Sequence, residues 1–130
     1  MLNFIKEMKS VGVLVDKKIF KEMQIRIYNH INFDRNVIMS VQASFQHYCT
    51  PKKTTNLNEY TAMEIGFICK DKYVRFETLT TNQKLASLLR NYEMGEIYAN
   101  VPCEIIESVY IQLIKEYRQQ QIYQKKERTL

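Results

Sequence analysis

The chain has no tryptophan, three glycines, two prolines, two histidines and three cysteines that form no CxxC pair. Each shortage excludes something. With so little Gly and Pro among 130 residues, and 45% hydrophobic residues, the chain is neither a linker nor a low-complexity segment but a folded domain. Its glycines, Gly12, Gly66 and Gly95, stand alone, so there is no P-loop and no GxGxxG fingerprint. The odd cysteine count (Cys49, Cys69, Cys103) argues against a disulfide framework and for reduced thiols in a cytoplasmic setting. His30 and His47 lie too far apart to complete a zinc site with these cysteines, and HExxH is absent. No metal and no cofactor are expected. No apolar run reaches the length that spans a bilayer. Lys6, Glu7 and Lys9 interrupt the N-terminal apolar stretch too early for a secretory leader, so no membrane partner is expected either.

What is abundant is tyrosine. Nine Tyr and six Phe exceed the needs of a core this size, which places some Tyr rings on a surface or interface. The length suits one domain that buries its own core. Net charge is +5, but Lys115, Arg118, Lys125, Lys126 and Arg128, against Glu116 and Glu127, supply three of those charges near the C-terminus. The remainder is almost balanced, without the basic stripe of a nucleic-acid binder, and nucleic acid is not the expected partner. Residues 1–118 read as one domain, and 119–130 as a charged extension of its last helix.

The pattern along the chain is α+β: an antiparallel sheet of four to six strands, covered by a short N-terminal helix and a long C-terminal helix. Leu2, Phe4, Ile5 and Met8 share a helical face, ended by Gly12. Met23, Ile25 and Ile27 alternate with polar neighbours as a half-buried strand, and residues 29–36 read as the turn after it. Residues 37–47 alternate most cleanly, predicting a long strand with Ser40, Gln42 and Ser44 on a wet face. A loop over 48–58 leads to a strand over 60–69 that buries Met63, Ile65 and Phe67. Lys70-Asp71-Lys72 turns it into Tyr73 and Arg75, facing out, and Val74 and Phe76, facing in. Thr80 and Thr81 can cap a helix over 82–91, and Glu96 to Asn100 can add an edge strand. Pro102 sits where a last helix would begin, and Ile105, Ile106, Val109, Tyr110, Leu113, Ile114 and Tyr117 form its apolar stripe.

Three constellations carry chemistry. In "HYCTPKK", His47, Tyr48, Lys52 and Lys53 gather a stacking ring and two cations at a strand end, which suits a nucleotide or phosphate; an ordinary solvated loop anchored by Tyr48 has the same composition. Cys49 could act as a nucleophile only with a lowered pKa, and no oxyanion-type turn surrounds it. Tyr73 with Arg75 reads as a ligand clamp or as plain surface. Arg90, Asn91 and Tyr92 can read a base and its phosphate, or cap a helix end. Paired carboxylates for acid/base work are absent, so a non-enzymatic protein is expected.

The succession of "HYCTPKK", "EYTAMEIGF" and "IYANVPCEIIESVY" resembles small phage and prophage proteins. In those, an aromatic-Cys-x-Pro-basic loop precedes a Tyr-x-x-x-Glu strand, and a Val-Pro-opened amphipathic helix closes the domain. Over residues 37–117 the layout is similar to that of the phage Thoeris anti-defence sponges, which sequester a cyclic ADP-ribose signal. The resemblance implies a cytoplasmic, non-enzymatic homo-oligomer that holds a cyclic nucleotide at subunit interfaces through arginines and an aromatic ring. This chain departs from it at the basic loop position, where Lys52 or Lys53 offers a point charge in place of a guanidinium fork. Two other readings remain: a protein-binding inhibitor or immunity protein acting through a Tyr-rich surface, and a nucleic-acid accessory factor using the basic tail.

Overall fold

The computed structural model describes residues 2–14 and 20–118, and the charged extension over 119–130 lies outside that range. The architecture is α+β. Strands β1 (Ser10–Leu14) and β2 (Ile25–Tyr28) form an antiparallel pair. Strands β3 (Ile31–Asn32), β4 (Val37–Gln42), β5 (Ala62–Cys69), β6 (Lys72–Val74), β7 (Glu93–Met94) and β8 (Ile97–Pro102) form a second, six-stranded antiparallel sheet. Its order is β3-β4-β5-β8-β7, with β6 pairing the C-terminal end of β5. Helices α1 (Asn3–Glu7), α2 (Gln83–Arg90) and α3 (Cys103–Leu113) supply the second layer, and a π-helical turn (Ile114–Arg118) lengthens α3.

Period-two alternation builds the sheet. Val37, Met39 and Val41 of β4 and Met63, Ile65 and Phe67 of β5 are buried on one face. Ile106, Val109 and Leu113 of α3, Leu89 of α2 and Phe4 of α1 join them in a single core. Burying each large aliphatic side chain contributes roughly 1.5–3 kcal/mol, so the α3 stripe alone is enough to dock that helix. Lys70 and Asp71 both adopt positive φ, at 52° and 66°, the backbone of a tight hairpin whose twist matches its strands.

Several expectations need correction. Gly12 does not end the first helix: α1 stops at Glu7, and Gly12 lies inside β1 beside a bulge in its pairing with β2. In β2 the burial is reversed, with Tyr28 inside and Ile27 outside. The turn expected over 29–36 contains β3, and its Ile31 and Phe33 are both 1% exposed. The long strand ends at Gln42, not at His47, and its polar face is not wet at that end. Gln42 is buried because its amide accepts from the Tyr28 N–H and donates to the Tyr28 carbonyl, each at 2.9 Å, in place of a backbone ladder rung. Ser44 is fully buried against His47. Asn82, not Thr80 or Thr81, caps α2 by accepting from the Leu85 N–H. Strand β8 is interior, between β5 and β7, and Pro102 is both its last residue and the N-cap of α3.

Three carboxylates lash the helices together. Glu107 of α3 accepts from the Asn3 and Phe4 N–H groups at 2.8 and 3.0 Å, capping a five-residue helix that has no side-chain cap of its own. Glu7 of α1 accepts from Arg118 at 2.9 and 3.1 Å and from the Tyr110 hydroxyl. Glu116 gathers the Thr80 hydroxyl at 2.8 Å, the Thr81 N–H at 3.1 Å and the Gln112 amide at 2.6 Å.

Burial raises the pKa of Glu7, but hydrogen bonds from Arg118 and Tyr110 and the Arg118 charge outweigh it, and the net shift is down. Glu116 shifts down against the same burial cost through Gln112, Thr80 and Thr81. A folded-state pKa below the unfolded value means that this stabilisation is complete above the ordinary Glu range, about 4.3, and is lost as pH falls through the lowered values. The melting temperature should therefore drop between about pH 5 and pH 3, and less steeply in Glu7→Gln and Glu116→Gln. Curves parallel to wild type would contradict the assignment.

Candidate functional site

The helices pack on one face of the six-stranded sheet, and no described helix packs on the other. Register defines that second face. Ile38 lies opposite Ile68, Ser40 opposite Gly66 and Gln42 opposite Glu64 between β4 and β5, while Tyr73 of β6 lies opposite Ile68. Ile38, Ser40, Glu64, Ile68 and Ile97 stay half-buried, and Tyr73 and Met94 are 50% and 46% exposed. The result is an apolar strip across the sheet with a polar end at Ser40 and Glu64.

Gly66 shapes the middle of this face. A Cβ at that position would lie 3.3 Å from Tyr73 Cε1 and 3.5 Å from Ile97 Cγ2. The Tyr73 ring thus lies down over the glycine with its outer surface open. Beside it, Tyr73, Val74, Arg75, Gly95 and Glu96 line a hollow of about 110 Å³. Small-molecule pockets run to about 300–1,000 Å³, so this hollow admits a ring and not a whole dinucleotide. A larger ligand must lie along the face.

The "HYCTPKK" loop closes one end of the face. The Tyr48 N–H donates to Glu64 Oε1 at 3.2 Å, and its carbonyl accepts from Asn100 N–H at 3.0 Å. Lys52 Nζ stands 5.2 Å from the centre of the exposed Tyr48 ring and donates to the His47 carbonyl at 3.3 Å. Ring and cation face solvent together. Lys53 is half-buried, and its carbonyl is held by the Tyr60 hydroxyl at 2.7 Å.

The nucleophiles of this loop are shut in. Ser44 Oγ lies 2.6 Å from His47 Nδ1, but Ser44 has no exposed surface for a substrate to reach. Burial holds the His47 pKa below its usual value against the opposing Glu64 charge, so the ring is neutral at pH 7. Cys49 is 3% exposed, its thiol donates to the Ser44 and Pro51 carbonyls, and burial pushes its pKa up. A protonated, enclosed thiol is structural.

The arginines have partners. Arg75 Nη1 meets Glu93 Oε1 at 2.9 Å, and Arg90 pairs with Glu77. Both pairs are solvent-exposed, worth at most ~1 kcal/mol, so an arriving phosphate can compete for either guanidinium. Asn91 caps the end of α2 through Nδ2 to the Leu88 carbonyl at 3.2 Å, and the Tyr92 carbonyl accepts from Ala99 N–H at 2.9 Å. The structure thus places His47, Tyr48, Lys52 and Lys53 at one end of the face and Tyr73 and Arg75 along it. Arg90, Asn91 and Tyr92 lie at the connection from α2 to β7.

The alternation in 60–69 already puts Glu64 and Gly66 on the outer side of the strand but gives them no role, and nothing in the residue pattern singles out Ile97 or Met94. Gly66 was the available signal, since a glycine inside a strand marks a close approach by another group. Among the described residues, no three His, Cys, Asp or Glu side chains gather as a metal site, and no helix is long and apolar enough to cross a membrane. Compared with known proteins, the chain matches no family model, no curated protein and no solved structure.

Cys69 is half-buried whereas Cys49 and Cys103 are buried, and burial raises the pKa of Cys103 to about 11. Iodoacetamide at a pH of about 8 should label Cys69 first in the native protein, with Cys49 and Cys103 reacting only on unfolding. Rapid native labelling of Cys49, read by mass spectrometry, would restore the catalytic reading.

Proposed function

We propose that this protein binds and sequesters a phosphorylated, base-bearing small molecule, of the cyclic ADP-ribose type, on its open sheet face without turning it over. It would act as a phage anti-defence sponge in the host cytoplasm, as a homo-oligomer. The observation that carries the reading is the Tyr73 ring laid over Gly66, an upward-facing stacking surface with Arg75 at its side. A base stacked on an aromatic ring gains ~1–3 kcal/mol, and phosphates would find Arg75 at the hollow and Lys52 at the loop end. The buried state of Ser44 and Cys49 favours holding over chemistry. Sequestration then follows from mass action: a binder in excess lowers the free signal below the level its receptor needs.

A second reading, a protein-binding inhibitor, is favoured by the width of the strip formed by Ile38, Ile68, Ile97 and Met94. The two separate in a thermal-shift screen against cyclic ADP-ribose isomers and cyclic di- and trinucleotides, with bound ligand recovered and weighed. A sponge gains stability with one of them and returns it intact. Tyr73→Ala and Lys52→Glu should each weaken binding by ~10-fold or more. No shift with any nucleotide, or a co-purifying protein partner, would sink the sponge reading.

A further inference from the structure

On the helix layer, the outward side of α3 carries Glu104, Ser108 and Ile111, and the π-helical turn that lengthens it carries Lys115, all exposed. The 4-3 spacing of Glu104, Ser108 and Ile111 puts them in one line, the spacing of a helix–helix seam, over ~10 Å of helix, and Lys115 shares a groove with Ile111 one turn further on. Ile111 is 53% exposed, and it forms the ridge between two grooves of about 470 and 510 Å³. Lys115 lines the first groove and Ser108 the second, which fixes both on the Ile111 side. Across the second groove, Leu88 of α2 is 44% exposed. Among the described residues nothing covers this aliphatic ridge between two hollows.

The line is complementary to itself. If two copies of α3 pack antiparallel about a two-fold axis midway between Ser108 and Ile111, each Ile111 meets the small Ser108 of the other copy. The same axis sets each Glu104 against the other copy's Lys115. Size and charge match at once, and neither residue is in an ion pair among the described residues. A parallel pairing would instead stack Ile111 on Ile111 and oppose like charges at both ends. Isologous two-fold contacts are the commonest in soluble oligomers because one patch serves both sides.

We infer that this protein forms a two-fold homodimer through the outward face of α3, with Ile111 as its anchor and Glu104 and Lys115 setting the antiparallel direction. This inference locates the self-association contact and does not depend on the ligand. The contact lies on the layer opposite the open sheet face, so the dimer presents two binding faces pointing away from each other and departs from the subunit-interface ligand site that the sponge resemblance implies.

Sedimentation velocity over a concentration series tests the contact, with circular dichroism as a check on folding. Wild type should dimerise, and Ile111→Asp, at a solvent-exposed position, should stay folded and raise the dimer dissociation constant at least ~10-fold. Lys115→Glu should weaken the dimer, and Glu104→Lys combined with Lys115→Glu should recover it. A wild type that remains monomeric, a dimer indifferent to Ile111→Asp, or a double variant no better than Lys115→Glu would each overturn the assignment. Since no nucleotide enters the experiment, its outcome is separate from that of the ligand screen.

Discussion

Strand β5 holds the domain together, because three other strands hydrogen-bond to it and the described helices roof one of its faces. It pairs with β4 along one edge and shares the other between β8 and β6. Its odd-numbered side chains, Met63, Ile65 and Phe67, are sunk in the core. Glu64 and Ile68 look the other way, with the bare backbone of Gly66 between them, toward a face with no described helix upon it. A one-residue slip would exchange the two sets, so the register that builds the core also builds the open face. Stability and the candidate binding surface therefore rest on the same pairing.

The two layers divide the work. Acidic groups tie the helix layer together, with Glu107 of α3 capping α1, Glu7 under Arg118 and Glu116 at the entry to α2. The open face of the sheet turns some basic and aromatic groups to solvent, with Lys52 beside Tyr48 at one end and Tyr73 over Gly66 in the middle. Arg75 and Arg90 stand between these roles, held by carboxylates weakly enough for a phosphate to draw them away.

Much of the architecture was legible in the residues. The alternations in 37–41 and 63–67, the Lys70-Asp71 turn and the α3 stripe each follow from a single local period or turn preference. What failed to show were features in which distant segments satisfy each other. Gln42 and Ser44 look wet by composition but are buried, because Tyr28 and His47 meet their polar atoms. Strands of two residues, β3 and β7, are too short to carry a period. Of the candidate site, the "HYCTPKK" loop and the Tyr73–Arg75 pair were visible as chemistry. Their relation to one face, and the closing of Ser44 and Cys49 to solvent, needed the pairing of β4, β5 and β6.

The proposed ligand lies on the open sheet face, not in the helix-layer grooves or the core. Side-chain NMR during titration with the nucleotide that stabilises the protein best reads this directly. Shifts are expected at Tyr48, Ile68, Tyr73 and Ile97, with Ile106, Leu113 and Ile111 unmoved. Shifts centred on Ile111 and Leu88, or none at Tyr73, would contradict it.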